Sequence, residues 1–153
     1  RYNSAFKTGF TKFKNIKSIY VKRTGTLNKR NQNTSITLDL MIHDIDLIIS
    51  KIKSKLIKVE ATGERENNKL HNHVDCNLFF ENGIKAHLVA SRANNIENQR
   101  IMKIFSSNET LEIDLLNKVQ KRISKKNIQI FESNKNNNPL QEELIAFYES
   151  ITI

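Results

Sequence analysis

The apolar positions of this chain repeat with two different periods, and the switches between them divide it into elements. Phe6, Phe10 and Phe13 recur at helical spacing within residues 4–15, with Ser4 as a candidate N-cap. That predicts a short amphipathic helix, weakened by Gly9. Residues 16–25 (IKSIYVKRTG) alternate and are β-branched, which predicts a strand. Residues 27–35 are polar and lack an apolar anchor, so a mobile loop is expected. Thr34 or Ser35 then caps a helix expected to run to about Ser54. Residues 55–64 read as a strand ending at Gly63, followed by a polar connection over 64–72.

The clearest signal lies further on. HVDCNLFF (73–80) and IKAHLVASR (84–92) both alternate, and Glu81-Asn82-Gly83 separates them. Alternating runs around Asn-Gly are a strong short-range hairpin signature. RIMKIFSS and TLEIDLLN predict a second hairpin around Asn108-Glu109, and KNIQIFES a final strand. After the loop NKNNN, Pro139 opens a helix over PLQEELIAFYESI, Pro being favoured in a first turn. Consecutive hairpins imply an α+β domain over 1–153, with a mostly antiparallel open-faced sheet and helices on one face.

The helix beginning near Ser35 carries candidate chemistry. At about 100° per residue, Leu38, Met41, Ile42, Ile45, Ile48, Ile49 and Ile52 share an apolar face, while Asp39, His43, Asp46 and Ser50 form a narrow polar stripe. A carboxylate one turn from an imidazole can fix its tautomer and raise its basicity. The spacing suits a general acid/base, but spacing alone favours a histidine satisfied by a helical neighbour at a domain surface. Asp44 and Asp46 suggest capping or pairing with lysines and no catalytic role.

Composition narrows the field. No apolar run reaches the roughly 20 residues of a membrane span. A lone Cys76 rules out an internal disulfide framework and fits a reducing, cytoplasmic compartment. The net charge of +9 would suit nucleic acid, but the lysines are spread along the chain without interleaved aromatics. An abundance of Lys, Asn and Ile points instead to AT-rich codon usage, so neither nucleic acid nor membrane is expected as a partner. His71, His73 and Asp75 alternate onto one strand face near Cys76. Without a second ligand cluster, they read as a solvated edge strand and not as a metal site. Only four glycines occur, none in a phosphate-binding pattern. The first residue is Arg1 and not Met, which implies a missing or processed start.

Four segments, in order, resemble the Gfo/Idh/MocA oxidoreductases. Arg1-Tyr2-Asn3-Ser4-Ala5-Phe6 is similar to the R-[FY]-N-P-A segment that follows the family's Rossmann domain, with Ser4 in place of Pro. LDLMIHDIDLI resembles its D-x-x-x-H helix, LFFENGIKAHLVASR a hairpin of a bacterial subgroup, some of whose members oxidise nucleotide sugars, and PLQEELIAFYESI its late E-L-x-x-F helix. The resemblance implies Asp39 as orienting carboxylate and His43 as acid/base, working with a Lys of an E-K-P motif not found here. It implies Tyr2, Asn3 and Arg92 as substrate-side residues, and pairing of subunits through the open sheet face. NAD or NADP would be bound mainly by an N-terminal Rossmann domain that this sequence lacks. The chain is thus expected to be the substrate-binding half of a sugar or nucleotide-sugar oxidoreductase, inactive without that domain. The alternative is a non-catalytic sugar-binding or dimerisation module left by a split or degenerating gene.

Overall fold

The computed structural model describes residues 3–65, 70–133 and 138–151. The chain opens with helix α1 (Ser4–Lys12) and strand β1 (Ser18–Thr26), then a π-helical turn (Thr37–Met41) that runs straight into α2 (Ile42–Lys51). Strands β2 (Leu56–Arg65), β3 (His71–Phe80), β4 (Lys85–Ala93), β5 (Gln99–Phe105), β6 (Glu109–Asp114), β7 (Val119–Ser124) and β8 (Ile128–Glu132) follow, and α3 (Pro139–Ile151) ends the order. All eight strands form one open sheet in the order β2-β3-β4-β1-β5-β6-β7-β8. Every neighbouring pair is antiparallel except β1 and β4. That parallel join exists because the chain leaves β1, passes over the sheet as α2, and returns through β2 and β3 before β4.

Alternation sorts the side chains. Ile19 and Val21 of β1 face the helices together with Cys76 and Leu78 of β3, Ala86 and Leu88 of β4, Met102 and Ile104 of β5, and Leu111 and Ile113 of β6, all buried. Phe6 and Phe10 close the core from α1, as their spacing requires, with Phe13 in extended backbone just past its end; Met41 of the π-helical turn and Leu47 and Ile48 of α2 close it beside them. Each fully buried side chain of this kind contributes about 1.5–3 kcal/mol. Gly9 lets α1 lie close on the sheet, since a Cβ there would come within 2.8 Å of Gln120 Oε1 and 3.2 Å of Leu111 Cδ2.

Several expectations need correction. Asn3, not Ser4, caps α1: its Oδ1 accepts from the Phe6 N–H at 3.2 Å. The helix ends at Lys12, and Asn15 turns the chain with φ 56°. Strand β3 starts at His71, two residues early, and β2 covers it, so it is not an edge. Strand β7 was not expected at all. Its inward positions are Gln120 and Arg122, and the turn before it lacks glycine, Lys118 itself taking φ 56°. The Asn-Gly hairpin forms where expected, with Gly83 at φ +83° and its N–H donating to Phe80 O at 2.9 Å.

The helical face is rotated from the expected one. Met41, Asp44, Leu47 and Ile48 are buried, whereas Leu38, Ile42 and Ile49 are exposed, Leu38 by 64%. The π-helical turn contributes to this, because Ile42 N–H donates to Thr37 O five residues back. The extra residue per turn swings Leu38 away from the face that α2 presents. The second cause is Asp44, which the sheet draws inward.

Candidate functional site around His43

Three strands end their inward series on arginine at the same end of the sheet. Ile19 and Val21 lead to Arg23 on β1; Ala86, Leu88 and Ala90 lead to Arg92 on β4; Ile104 and Met102 lead to Arg100 on β5. Arg23 pairs directly with Arg100 across the ladder. Two carboxylates five residues apart on the helix answer them. Asp44 is 1% exposed and accepts from Arg23 Nη1 on Oδ2 (3.3 Å) and from Arg100 Nε and Nη2 on Oδ1 (3.2 and 3.1 Å). Asp39 accepts from Arg92 Nη1 at 3.1 Å. These charge-assisted contacts fix the rotation of α2 on the sheet.

Arg92 is 3% exposed, and its Nη2 also donates to Thr34 O (2.7 Å) and Asn72 Oδ1 (3.3 Å). The guanidinium therefore ties the loop after β1 and the start of β3 to Asp39, and it presents no donor at the surface. Asn28 and Asn31 further organise that loop through side-chain bonds to each other's backbone N–H groups.

His43 follows from this arrangement. It lies one residue before Asp44, so when Asp44 points into the sheet the imidazole turns out into a cleft of about 790 Å³. Arg23 and Arg100 on the sheet side, His43 and Asp46 on α2, and Glu143 and Phe147 on α3 line the cleft. The ring is exposed and has no hydrogen-bonding partner among the described residues. Asp39, expected to orient it, holds Arg92 instead. Burial pushes the Arg23 guanidinium below its ordinary pKa, Asp44 raises it, and the Arg100 charge lowers it again.

The other candidates fall elsewhere. Asn3 caps α1 and donates from Nδ2 to Leu115 O at 3.0 Å, joining the helix to the end of β6. Tyr2 lies outside the described residues. His73, Asp75 and His87 sit on the open face, where His73 Nδ1 meets Ser91 Oγ at 2.7 Å and His87 Nε2 meets Asp75 Oδ2 at 2.8 Å. Cys76 points to the helix side, and burial together with Asp75 pushes its thiol up, so it is not a ready thiolate. The residues missed at first, Arg23, Asp44 and Arg100, had a signal. An arginine at an inward position of an alternating strand demands a buried acid.

The Gfo/Idh/MocA C-terminal domain model matches residues 6–112, more than half of the chain. The chain belongs to that family. Among solved structures, it is similar to UDP-N-acetylglucosamine 3-dehydrogenase from Acidithiobacillus ferrooxidans, with a TM-score of 0.89 at 24% identity, covering 99% of this chain and 50% of that one. A 3-ketoreductase from Actinomadura kijaniata, in complex with TDP-benzene and NADP, gives 0.81 at 13%, covering 98% and 52%. A putative oxidoreductase from Thermotoga maritima gives 0.77 at 17%, covering 98% and 51%. The chain therefore spans about half the length of the solved chains it matches. Comparison with curated proteins finds no match. No helix among the described residues is long and apolar enough to cross a membrane.

Proposed function

We propose that this chain is the substrate-binding half of a nicotinamide-dependent oxidoreductase acting on a sugar or nucleotide-sugar hydroxyl, with His43 as its acid/base. The observation that carries the reading is the exposed, unpartnered imidazole of His43, set at the mouth of a cleft by a helix that five side chains lock onto the sheet. Family membership and a nucleotide-sugar dehydrogenase among the structural relatives support it. Oxidising a secondary alcohol needs loss of the hydroxyl proton in concert with hydride, and an exposed imidazole can take the proton. A bound NAD or NADP would supply the hydride acceptor.

The described residues form no glycine-rich loop at a helix start that would cradle the phosphates of such a cofactor. Among the described residues only Gly83 has a glycine's positive φ, and it turns a hairpin far from any helix start. The chain presents an acid/base to a reaction whose cofactor is cradled by a separate Rossmann domain. Asp39 acts through Arg92 to fix the helix pitch. Leu38, Ile42 and Ile49, with the wholly exposed apolar side of α3 (Leu140, Leu144, Phe147), supply the surface on which that domain rests. Reading about 120 codons before Arg1, a typical domain length, tests this. An open frame with G-x-G-x-x-G and an E-K-P lysine is expected; a broken frame favours a non-catalytic module.

The open sheet face carries Val89, Ile101, Ile123, Ile128 and Ile130 among polar pairs such as Lys103–Glu112 at 2.8 Å. No described residue covers it. A sheet with one uncovered apolar-studded face is a subunit interface in this reading. Sedimentation should give twice the 17.8 kDa chain mass; a monomer at high concentration would remove this part of the proposal.

A further inference from the structure

We propose that Arg23 and Arg100, at the floor of the His43 cleft, form a subsite for an oxyanion of the substrate, a phosphoryl or carboxylate group. The identity of the ligand as a substrate rests on the dehydrogenase reading; the binding chemistry does not.

Two guanidiniums share a single carboxylate. Arg23 gives Asp44 only Nη1, and Arg100 gives it Nε and Nη2. The remaining N–H groups, Nε and Nη2 of Arg23 and Nη1 of Arg100, have no acceptor among the described residues. Both side chains are largely withdrawn from water, 17% and 22% exposed. Asp44 is shared by the two guanidiniums, and Asp39, which also acts on Arg23, is held by Arg92, so three arginines face two carboxylates in a partly desolvated setting. An incoming oxyanion there would meet a fork of unused donors and relieve that imbalance.

Arg92 shows the contrast. It is more deeply buried, but its terminal nitrogens are occupied by Asp39, Thr34 O and Asn72, and it does not line the cleft. Two acids do line it. Asp46 has a partner of its own. Glu143 is exposed on α3, where solvent screens it. His43 lines the same cleft from α2, so a group held by the arginines would keep the rest of its molecule near the imidazole.

The folded chain should be titrated with inorganic pyrophosphate, UDP and glucuronate, with N-acetylglucosamine as the uncharged probe. Saturable, salt-sensitive binding of at least one anion is expected. Pyrophosphate equal to UDP would mean that phosphoryl alone is read, and glucuronate alone that the site takes a carboxylate. Arg100→Lys, which keeps a charge for Asp44 but loses the fork, should weaken binding about tenfold, the size of one charge-assisted pair. If that variant does not fold, the side-chain Nε–H resonances of the wild-type chain decide. Those of Arg23 and Arg100 should move on adding the anion, and that of Arg92 should not. The proposal is overturned by no saturable anion binding, by N-acetylglucosamine binding as well as the anions, by an unchanged affinity in Arg100→Lys, or by equal movement of all three arginines. Such a failure leaves the acid/base role of His43 standing, since turnover tests that role separately.

Discussion

Asp44→Ala is expected to lower the unfolding free energy by about 3–5 kcal/mol, the cost of breaking a buried ion pair from one side. The reason lies in what remains behind. Arg23 and Arg100 would face each other across a ladder position with no carboxylate between them. Their mutual repulsion, now balanced by Asp44, would act in a poorly hydrated site. Against a domain stability of about 5–15 kcal/mol, such a loss is large. It should appear as a lower denaturant midpoint with an unchanged slope. A shift below about 1 kcal/mol, the range of an exposed pair, would show that the cluster is not what fixes α2.

His43→Ala carries the largest expected effect on chemistry. On the proposed acid/base role, its removal is expected to lower turnover by about 10²–10⁴. The imidazole is exposed and has no hydrogen-bonding partner among the described residues, so its removal should leave the stability almost unchanged. That separation distinguishes the two residues, although they are neighbours in sequence. Asp44 faces the sheet and holds the helix, and His43 faces the cleft and holds nothing.

How much of this could be read beforehand depended on the kind of signal. Period-two alternation and Asn82-Gly83 place β3 and β4, and the spacing of Phe6 and Phe10 places α1 and its buried face, although the helix stops before Phe13. Those signals are local, and local geometry decides them. Strand β7 escaped because its inward residues, Gln120 and Arg122, are polar, and burial is satisfied there by partners distant in sequence such as Thr8. The parallel β1–β4 join leaves no mark in the periodicity, which says which face a residue takes but not which strand lies beside it.

The site was half legible. Asp39 and His43 stood out by spacing, yet the wheel assumed uniform α-helix, and a π-helical turn covers Asp39. Asp44 reads from sequence as a cap or a partner of lysines, because a carboxylate on an apolar face conflicts with burial until its arginines are known. Reading the inward series of β1, β4 and β5 to their last residue would have supplied them.

The most direct measurement is nicotinamide reduction by this chain joined to the Rossmann domain that the proposed function requires, offered a panel of nucleotide sugars, for the wild type and for His43→Ala. Reduction by the wild type with at least one sugar, and its near-complete loss in the variant, are expected. Equal rates for the two proteins would contradict the role of His43, and nucleotide-sugar binding without any reduction would make this a binding module.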